Sequence, residues 1–468
     1  MPTRRRFLLQ ALGAAALVSA GTAACGGSED TTAEPESVTA LTQVYGDGLK
    51  LAAVAVEYDA PVSSAKLTTS AFTVADRTVT KVYANTAAAL SGRGRDGRYV
   101  IVELSPDDDA AALWPSQLAS DDSGPGASSG GDRPTDMPTG PPSGMPSGSG
   151  MPSGGPGGGP MATIKEAKAT VTQHKSLTGK DGGDLGGSGA TFTTGKAVNL
   201  IVDDFEQLSF KDTDTGETLK YNLFIPEGYD ASRSYPLVLF MPDATATSTV
   251  TRTTLVQGLG AVCWASPADQ AKRQAFVLAP QYSSPTVGDD FKASDMLDTT
   301  VNLLTALTGK YSIDTDRLYA TGQSGGGMMA LAMNIKYPDL FAASLIVAAQ
   351  WDPAQVAPLA EKKLWIVVSE GDEKAYPYEN KITKILEQKG ATVSRATWDG
   401  TSTSAEFATA VKKMAAENSS VNYTVFTKGS VVPDDVEDNA TNEHLCTWRV
   451  AYTIDGIRDW IFEQRKSS

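Results

Sequence analysis

The chain has 468 residues, enough for two or three domains once its ends are set aside. Its formal charge is −15 and no basic cluster follows the first few residues, which excludes nucleic acid and bare anionic lipid as electrostatic partners. It has three cysteines, no Cys-x-x-Cys and only two histidines, a composition that argues against a zinc or haem site and implies no metal and no cofactor.

The chain opens with Thr3-Arg4-Arg5-Arg6-Phe7-Leu8-Leu9, a mostly apolar run to about Val18, and then small residues. Residues 1–24 read as an export signal of the twin-arginine type, the alternative being an ordinary secretory signal. The apolar run is short for a membrane span. Thr22-Ala23-Ala24-Cys25 resembles a lipoprotein processing box with Cys25 as the lipidated residue, although Thr22 stands where leucine is usual. The alternative is a plain secreted protein with Cys25 unmodified. Residues 25–36 are small and polar, as a tether should be. The expectation is an exported protein, either a cell-surface lipoprotein or one released outside the cell, touching membrane only through that anchor. In such an oxidising setting Cys263 and Cys446 remain as an even pair, either joined in a disulfide or left as two buried thiols.

Residues 37–202 read as an all-β sandwich. Runs such as Leu51-Ala52-Ala53-Val54-Ala55-Val56-Glu57-Tyr58 and Tyr99-Val100-Ile101-Val102-Glu103-Leu104 are separated by turn residues. About 105–160 is rich in Gly, Pro, Ser and Asp and repeats Met-Pro-[Ser/Thr]-Gly, a composition that cannot offset the cost of ordering itself. Strand-like pattern returns after it, at 164–177 and 197–202, so it reads as an insertion within the first domain.

From about Asp203 to the end at 468, strands and helices alternate. Strands are predicted at 219–225, 236–241, 275–279, from Arg317, at 343–348 and at 364–369. Helices are predicted at 294–308, 328–337, 380–389 and 448–462. This alternation implies a mostly parallel sheet with helices on both faces.

The chemistry centres on Gly322-Gln323-Ser324-Gly325-Gly326, set between a strand-like and a helix-like run. That is the setting of a nucleophile elbow, the tight turn that lifts a serine hydroxyl into the open. A second match to the pattern, around Ser128, falls in the polar insertion and lacks that setting. A serine nucleophile needs a histidine base oriented by a carboxylate. His174 lies on a polar strand of the β domain and reads as a surface residue. His444, in Asn442-Glu443-His444-Leu445-Cys446, comes after the last strand and directly before the last predicted helix, and is the base. The acid should follow a strand between the two. Asp372, after Leu364-Trp365-Ile366-Val367-Val368, is the choice, with Gly371 allowing a tight loop to aim it. Glu370 and Glu373 are rivals, and Asp435 and Asp438 are weaker ones. The oxyanion needs backbone N–H donors. One should be Gly325. The other should come from Asp243 or Ala244, since Pro242 has no N–H, and the Asp243 side chain must then turn away.

Tyr221-Asn222-Leu223-Phe224-Ile225-Pro226-Glu227-Gly228-Tyr229-Asp230, Tyr235-Pro236-Leu237-Val238-Leu239-Phe240, Phe276-Val277-Leu278-Ala279-Pro280-Gln281, the elbow, and His444-x-x-Thr447-Trp448-x-x-Ala451-Tyr452 together resemble secreted α/β-hydrolase esterases. That group is related to feruloyl-esterase-like, polyhydroxybutyrate-depolymerase-like and prolyl-oligopeptidase-like hydrolases. Val44-Tyr45-Gly46-Asp47-Gly48 and Val82-Tyr83-Ala84-Asn85 are similar to the immunoglobulin-like domain that precedes the catalytic domain in some members. The resemblance implies an α/β hydrolase after an immunoglobulin-like sandwich, with Ser324 as nucleophile, Asp372 as acid and His444 as base, cleaving an ester of a small molecule or polymer. The chain departs from the family at Pro242-Asp243, where many relatives read His-Gly, and at Val368-Ser369. A prolyl-oligopeptidase-like peptidase and a non-catalytic binding protein on the same fold are the alternatives.

Overall fold

The computed structural model of the protein describes residues 34–115 and 163–466. The export signal, Cys25 and residues 116–162 with Ser128 lie outside the described residues. Among the described residues, no helix is long and apolar enough to cross a membrane.

The first domain contains β1 (Ser37–Tyr45), β2 (Gly48–Val62), β3 (Phe72–Val74), β4 (Val79–Asn85) and β5 (Gly97–Leu104). These are followed by β6 (Thr170–Gln173), β7 (Leu177–Thr178), β8 (Asp184–Leu185), β9 (Ala190–Thr193) and β10 (Lys196–Asn199). A five-stranded sheet, ordered β10-β1-β2-β5-β4, packs against the three-stranded sheet β3-β6-β9, and β7 and β8 form a short ribbon. Strands from both sides of residues 116–162 pair with each other, β1 with β10 and β3 with β6, so that stretch interrupts one domain.

The two-residue period of β2 explains its two cores. Val54, Val56 and Tyr58 join the main core with Phe72 and Val171. Ala53 and Ala55 point the other way, into a small cluster with Leu41, Tyr83 and Ile101. The Tyr58 hydroxyl crosses the sandwich and donates to Gln173 Oε1 at 2.6 Å. The beginning of the stretch predicted as disordered is instead packed. Leu113 and Trp114 are buried, and their amides donate to the Leu49 carbonyl at 2.8 and 3.1 Å. These two large side chains supply the apolar area that the rest of the stretch lacks. His174 follows β6 and is exposed, its Nε2 lying 2.9 Å from Thr73 Oγ1.

The second domain is built on one nine-stranded sheet. β11 (Phe205–Lys211) and β12 (Thr218–Phe224) form an antiparallel edge. The other seven strands are parallel: β13 (Tyr235–Met241), β14 (Phe276–Gln281), β15 (Ile313–Gln323), β16 (Ala343–Val347), β17 (Leu364–Ser369), β18 (Val393–Trp398) and β19 (Val421–Phe426). Their order is β11-β12-β14-β13-β15-β16-β17-β19-β18. Every residue of β13, β14, β16 and β17 is buried, as a parallel sheet covered on both faces requires.

The helices are α1 (Thr253–Val256), α2 (Leu259–Ala265), α3 (Pro267–Lys272), α4 (Met296–Lys310), α5 (Gly325–Lys336), α6 (Ala375–Gln388), α7 (Ser404–Ala415), α8 (Ala440–Ala451) and α9 (Asp455–Phe462). The single last helix predicted over 448–462 is in fact two. α8 starts eight residues earlier than predicted because Asn439 caps it, its side chain accepting from the Asn442 amide at 2.9 Å. His444 therefore lies inside a helix, not ahead of one.

The disulfide between Cys263 and Cys446 is not formed; both thiols are free and buried. The Cys263 thiol turns back toward the Gly260 carbonyl one turn earlier in α2. Burial pushes the Cys263 thiol up to about 12 and the Cys446 thiol up to about 11, so both stay protonated.

The β1–β2 turn of the first domain docks on the second. A Cβ on Gly46 would lie 3.0 Å from Arg449 Cβ in α8, and a Cβ on Gly258 would lie 3.1 Å from the Gly46 carbonyl. Gly46, Asp47 and Trp114 share a small cavity at this junction with Leu445 and Trp448.

Candidate active site

β13 is the switch point of the sheet: from it the chain moves first to β14 on one side and then to β15 on the other. Loops leaving neighbouring strands in opposite directions open a crevice at their carboxyl ends. The loop after β13 and the turn after β15 meet there.

Ser324 occupies that turn with φ 50° and ψ −120°, a left-handed conformation that costs a non-glycine residue on the order of 1–3 kcal/mol. The surroundings hold it there. Its amide donates to the Val347 carbonyl at 2.9 Å. A Cβ on Gly322 would lie 2.3 Å from the Gly326 carbonyl carbon, and a Cβ on Gly326 would lie 2.0 Å from the Met241 carbonyl oxygen. Both glycines of the motif are thus required by space, because β15, α5 and the end of β13 converge on the turn.

Gly325 is the first residue of α5 and Ala244 the first of a 3-10 turn, Ala244–Ala246. First-turn N–H groups have no partner within their own helix and point outward. The two residues are neighbours: a Cβ built on Gly325 would sit 3.5 Å from the Ala244 nitrogen. The Asp243 carboxylate turns away from them. Its Oδ1 caps the turn, accepting from the Thr245 amide at 2.8 Å and from the Thr245 hydroxyl, and its Oδ2 accepts from Gln323 Nε2 at 3.0 Å. Gln323, next to the serine, is a partner that the motif alone did not reveal.

The remaining partners come from far along the chain. Asp372 follows β17 and is 1% exposed, whereas Glu370, Glu373, Asp435 and Asp438 are all exposed. Its Oδ1 accepts from the amides of Lys374 and Ala375 at 3.0 and 2.8 Å. Its Oδ2 lies 2.5 Å from His444 Nδ1. His444 Nε2 in turn lies 2.9 Å from Ser324 Oγ. Three side chains separated by 48 and 72 positions in sequence thus form one hydrogen-bonded line. The imidazole also meets Trp448, one turn later in α8, edge-to-face at 5.2 Å. Trp448 reaches the junction with the first domain, so the histidine helix is braced from both sides.

Two buried carboxyls flank this line, and neither was singled out from the sequence. Glu379 of α6 accepts from the Ala349 amide at 2.9 Å, and burial holds its pKa well above the usual carboxylate range. Glu443, immediately before His444, is fully buried. An isolated Glu in a helix carries no sequence signal of burial, since only the packing around it decides that.

Comparison with known proteins agrees with this architecture. The family model "Esterase Ig-like N-terminal domain" matches residues 37–186, and the model "Putative esterase" matches residues 213–430. A solved structure named "Crystal Structure of a Thermostable Esterase" is 25% identical with a TM-score of 0.71, covering 92% of this chain and all of that one. "Putative esterase NocK" of Nocardia uniformis subsp. tsuyamanensis is 48% identical over 54 residues, a match spanning 11% of this chain and 16% of that relative. The two family models occupy consecutive parts of one chain, an esterase immunoglobulin-like domain followed by an esterase domain of the α/β-hydrolase type.

Proposed function

We propose that the protein is a serine hydrolase that cleaves carboxylic esters through an acyl-enzyme. The observation that carries this reading is the line Ser324 Oγ, His444 Nε2, His444 Nδ1, Asp372 Oδ2, with steps of 2.9 and 2.5 Å across the two hydrogen bonds. Asp372 accepts a hydrogen bond from His444 Nδ1–H, keeping the proton on Nδ1 and leaving Nε2 free to take the serine proton. Ser324 attacks the ester carbonyl, and the amides of Gly325 and Ala244 hold the oxyanion. His444 then protonates the leaving alcohol. A water, deprotonated by the same nitrogen, cleaves the acyl-serine by the reverse sequence. The turned-away Asp243 carboxylate supports this assignment, since a carboxylate facing the oxyanion would oppose it. The N-terminal sequence supports an exported protein, tethered at Cys25 or released.

The test is turnover of a panel of p-nitrophenyl esters and aminoacyl anilides by the wild type and Ser324→Ala. Ester turnover should fall on the order of 10⁴–10⁶-fold in the variant. Unchanged ester turnover in a folded variant would remove Ser324 as nucleophile. Turnover of anilides alone by the wild type would move the assignment to a peptidase.

A further inference from the structure

Glu443 is buried where α8 meets the ends of β17 and β19, two strands already paired in the sheet. It belongs to α8 and directly precedes His444. Its Oε2 accepts from the Ser369 hydroxyl at the end of β17. Its Oε1 accepts from the Gly429 amide, in the turn after β19, at 2.5 Å. The Ser369 hydroxyl oxygen accepts in turn from the Gly371 amide at 3.2 Å, and the Ser369 carbonyl accepts from the Asp372 amide at 3.1 Å. The loop that presents Asp372 is thereby tied through one carboxyl to the helix that presents His444.

Gly371 shows how closely the two fit. It does not adopt a left-handed conformation, so its backbone does not demand glycine. A Cβ there would lie 2.4 Å from the Glu443 carboxyl carbon. The glycine lies in the tight turn that the sequence predicts, closed by the Asp372 amide on the Ser369 carbonyl, and its missing side chain makes room for the carboxyl.

We propose that Glu443 is a positioning residue that holds the Asp372 loop and the His444 helix in the register their hydrogen bond needs. This rests on the assignment of Ser324, His444 and Asp372 given above. Burial raises the Glu443 pKa, its hydrogen bonds from Ser369 and Gly429 oppose that shift, and the Asp438 carboxyl adds to it. The group acts through its hydrogen bonds, so an amide of the same shape can replace it. The amide oxygen would accept from Gly429, and the amide nitrogen would donate to Ser369 Oγ.

The experiment uses the full chain with a p-nitrophenyl ester as substrate. It compares Glu443→Ala, Glu443→Gln, Ser369→Ala and Ser324→Ala with wild type, and it follows the low-field proton resonance of His444 Nδ1. His174→Gln, on the exposed far histidine, leaves His444 as the single histidine in the spectrum. Glu443→Ala should lower kcat by about 10- to 100-fold with KM within about twofold, as a small misplacement of a catalytic pair does. It should also shift or abolish the Nδ1 resonance. Glu443→Gln should restore kcat to within about threefold of wild type, because it remakes both hydrogen bonds. Ser369→Ala should move kcat and the resonance in the same direction as Glu443→Ala. Wild-type kcat and resonance in folded Glu443→Ala, or Glu443→Gln as impaired as Glu443→Ala, overturns the proposal. If Glu443→Ala does not fold, a wild-type kcat and resonance in Ser369→Ala overturns it instead. Activity surviving Ser324→Ala would strike the triad assignment itself, an outcome distinct from each of these.

Discussion

The two sides of the site are held by different physics. On the elbow side, Ser324, Gly325 and Ala244 are set by backbone: a strained turn, two helix starts, and glycines at which a Cβ would lie 2.0–2.3 Å from main chain. On the acid–histidine side, Asp372 and His444 are set by side chains reaching between β17, α8 and the turn after β19. Steric exclusion is short-ranged and leaves a mark in a five-residue motif. Hydrogen bonds between distant segments leave almost none. The elbow side should therefore fail through stability when its glycines are altered, and the other side through geometry and proton placement.

Asp372→Asn gives the largest expected effect on the acid–histidine side. The Lys374 and Ala375 amides need an acceptor, so the asparagine oxygen would face them and its NH₂ would face His444 Nδ1. That forces the proton onto Nε2, and kcat on a p-nitrophenyl ester should fall on the order of 10⁴-fold with the fold intact. A loss of stability of similar severity would blur the comparison.

Gly326→Ala is the matching test of the elbow side. In an ordinary helix the change would stabilise by about 0.5–1 kcal/mol. Here the added carbon meets the Met241 carbonyl, and the prediction reverses sign, to a loss of about 1–3 kcal/mol in denaturant unfolding. A stabilised variant would mean that the turn yields easily.

The smallest effect concerns Glu379, which lies near Asp372 but outside the hydrogen-bonded line. Its pKa is raised in the folded state, so folding favours the protonated carboxyl. Its contribution to stability is full below the ordinary carboxylate pKa and is lost as pH rises through the raised value. Glu379→Gln should flatten that decline when the melting temperature is followed from about pH 5 to about pH 9. An unchanged slope would show that Glu379 is already ionised in the fold.

Much of this was legible in the residues. Continuous apolar runs such as Leu364-Trp365-Ile366-Val367-Val368 marked buried parallel strands, and the scarcity of histidine narrowed the candidates for a base to His444. Other features were not. The short helices α1 to α3 fell below the length at which helical periodicity shows. α7 escaped prediction although Thr403 and Glu406 form a capping box that signals its start. The residues left Cys263 and Cys446 open between a bonded pair and two buried thiols, and the structure has both thiols free and buried.

By itself, the sequence determined the alternation of strands and helices, the glycine-flanked serine, and the candidates for its acid and base, because each is written in neighbouring residues or in what the chain lacks. Tertiary structure separated Asp372 from Glu370 and Glu373 by burying one and leaving two in water. It turned Asp243 away from the Gly325 and Ala244 amides by giving its carboxylate Thr245 and Gln323. It also made a buried link of Glu443. Burial and hydrogen-bond partners belong to segments that meet only when the sheet closes, and no local pattern encodes which ones will meet.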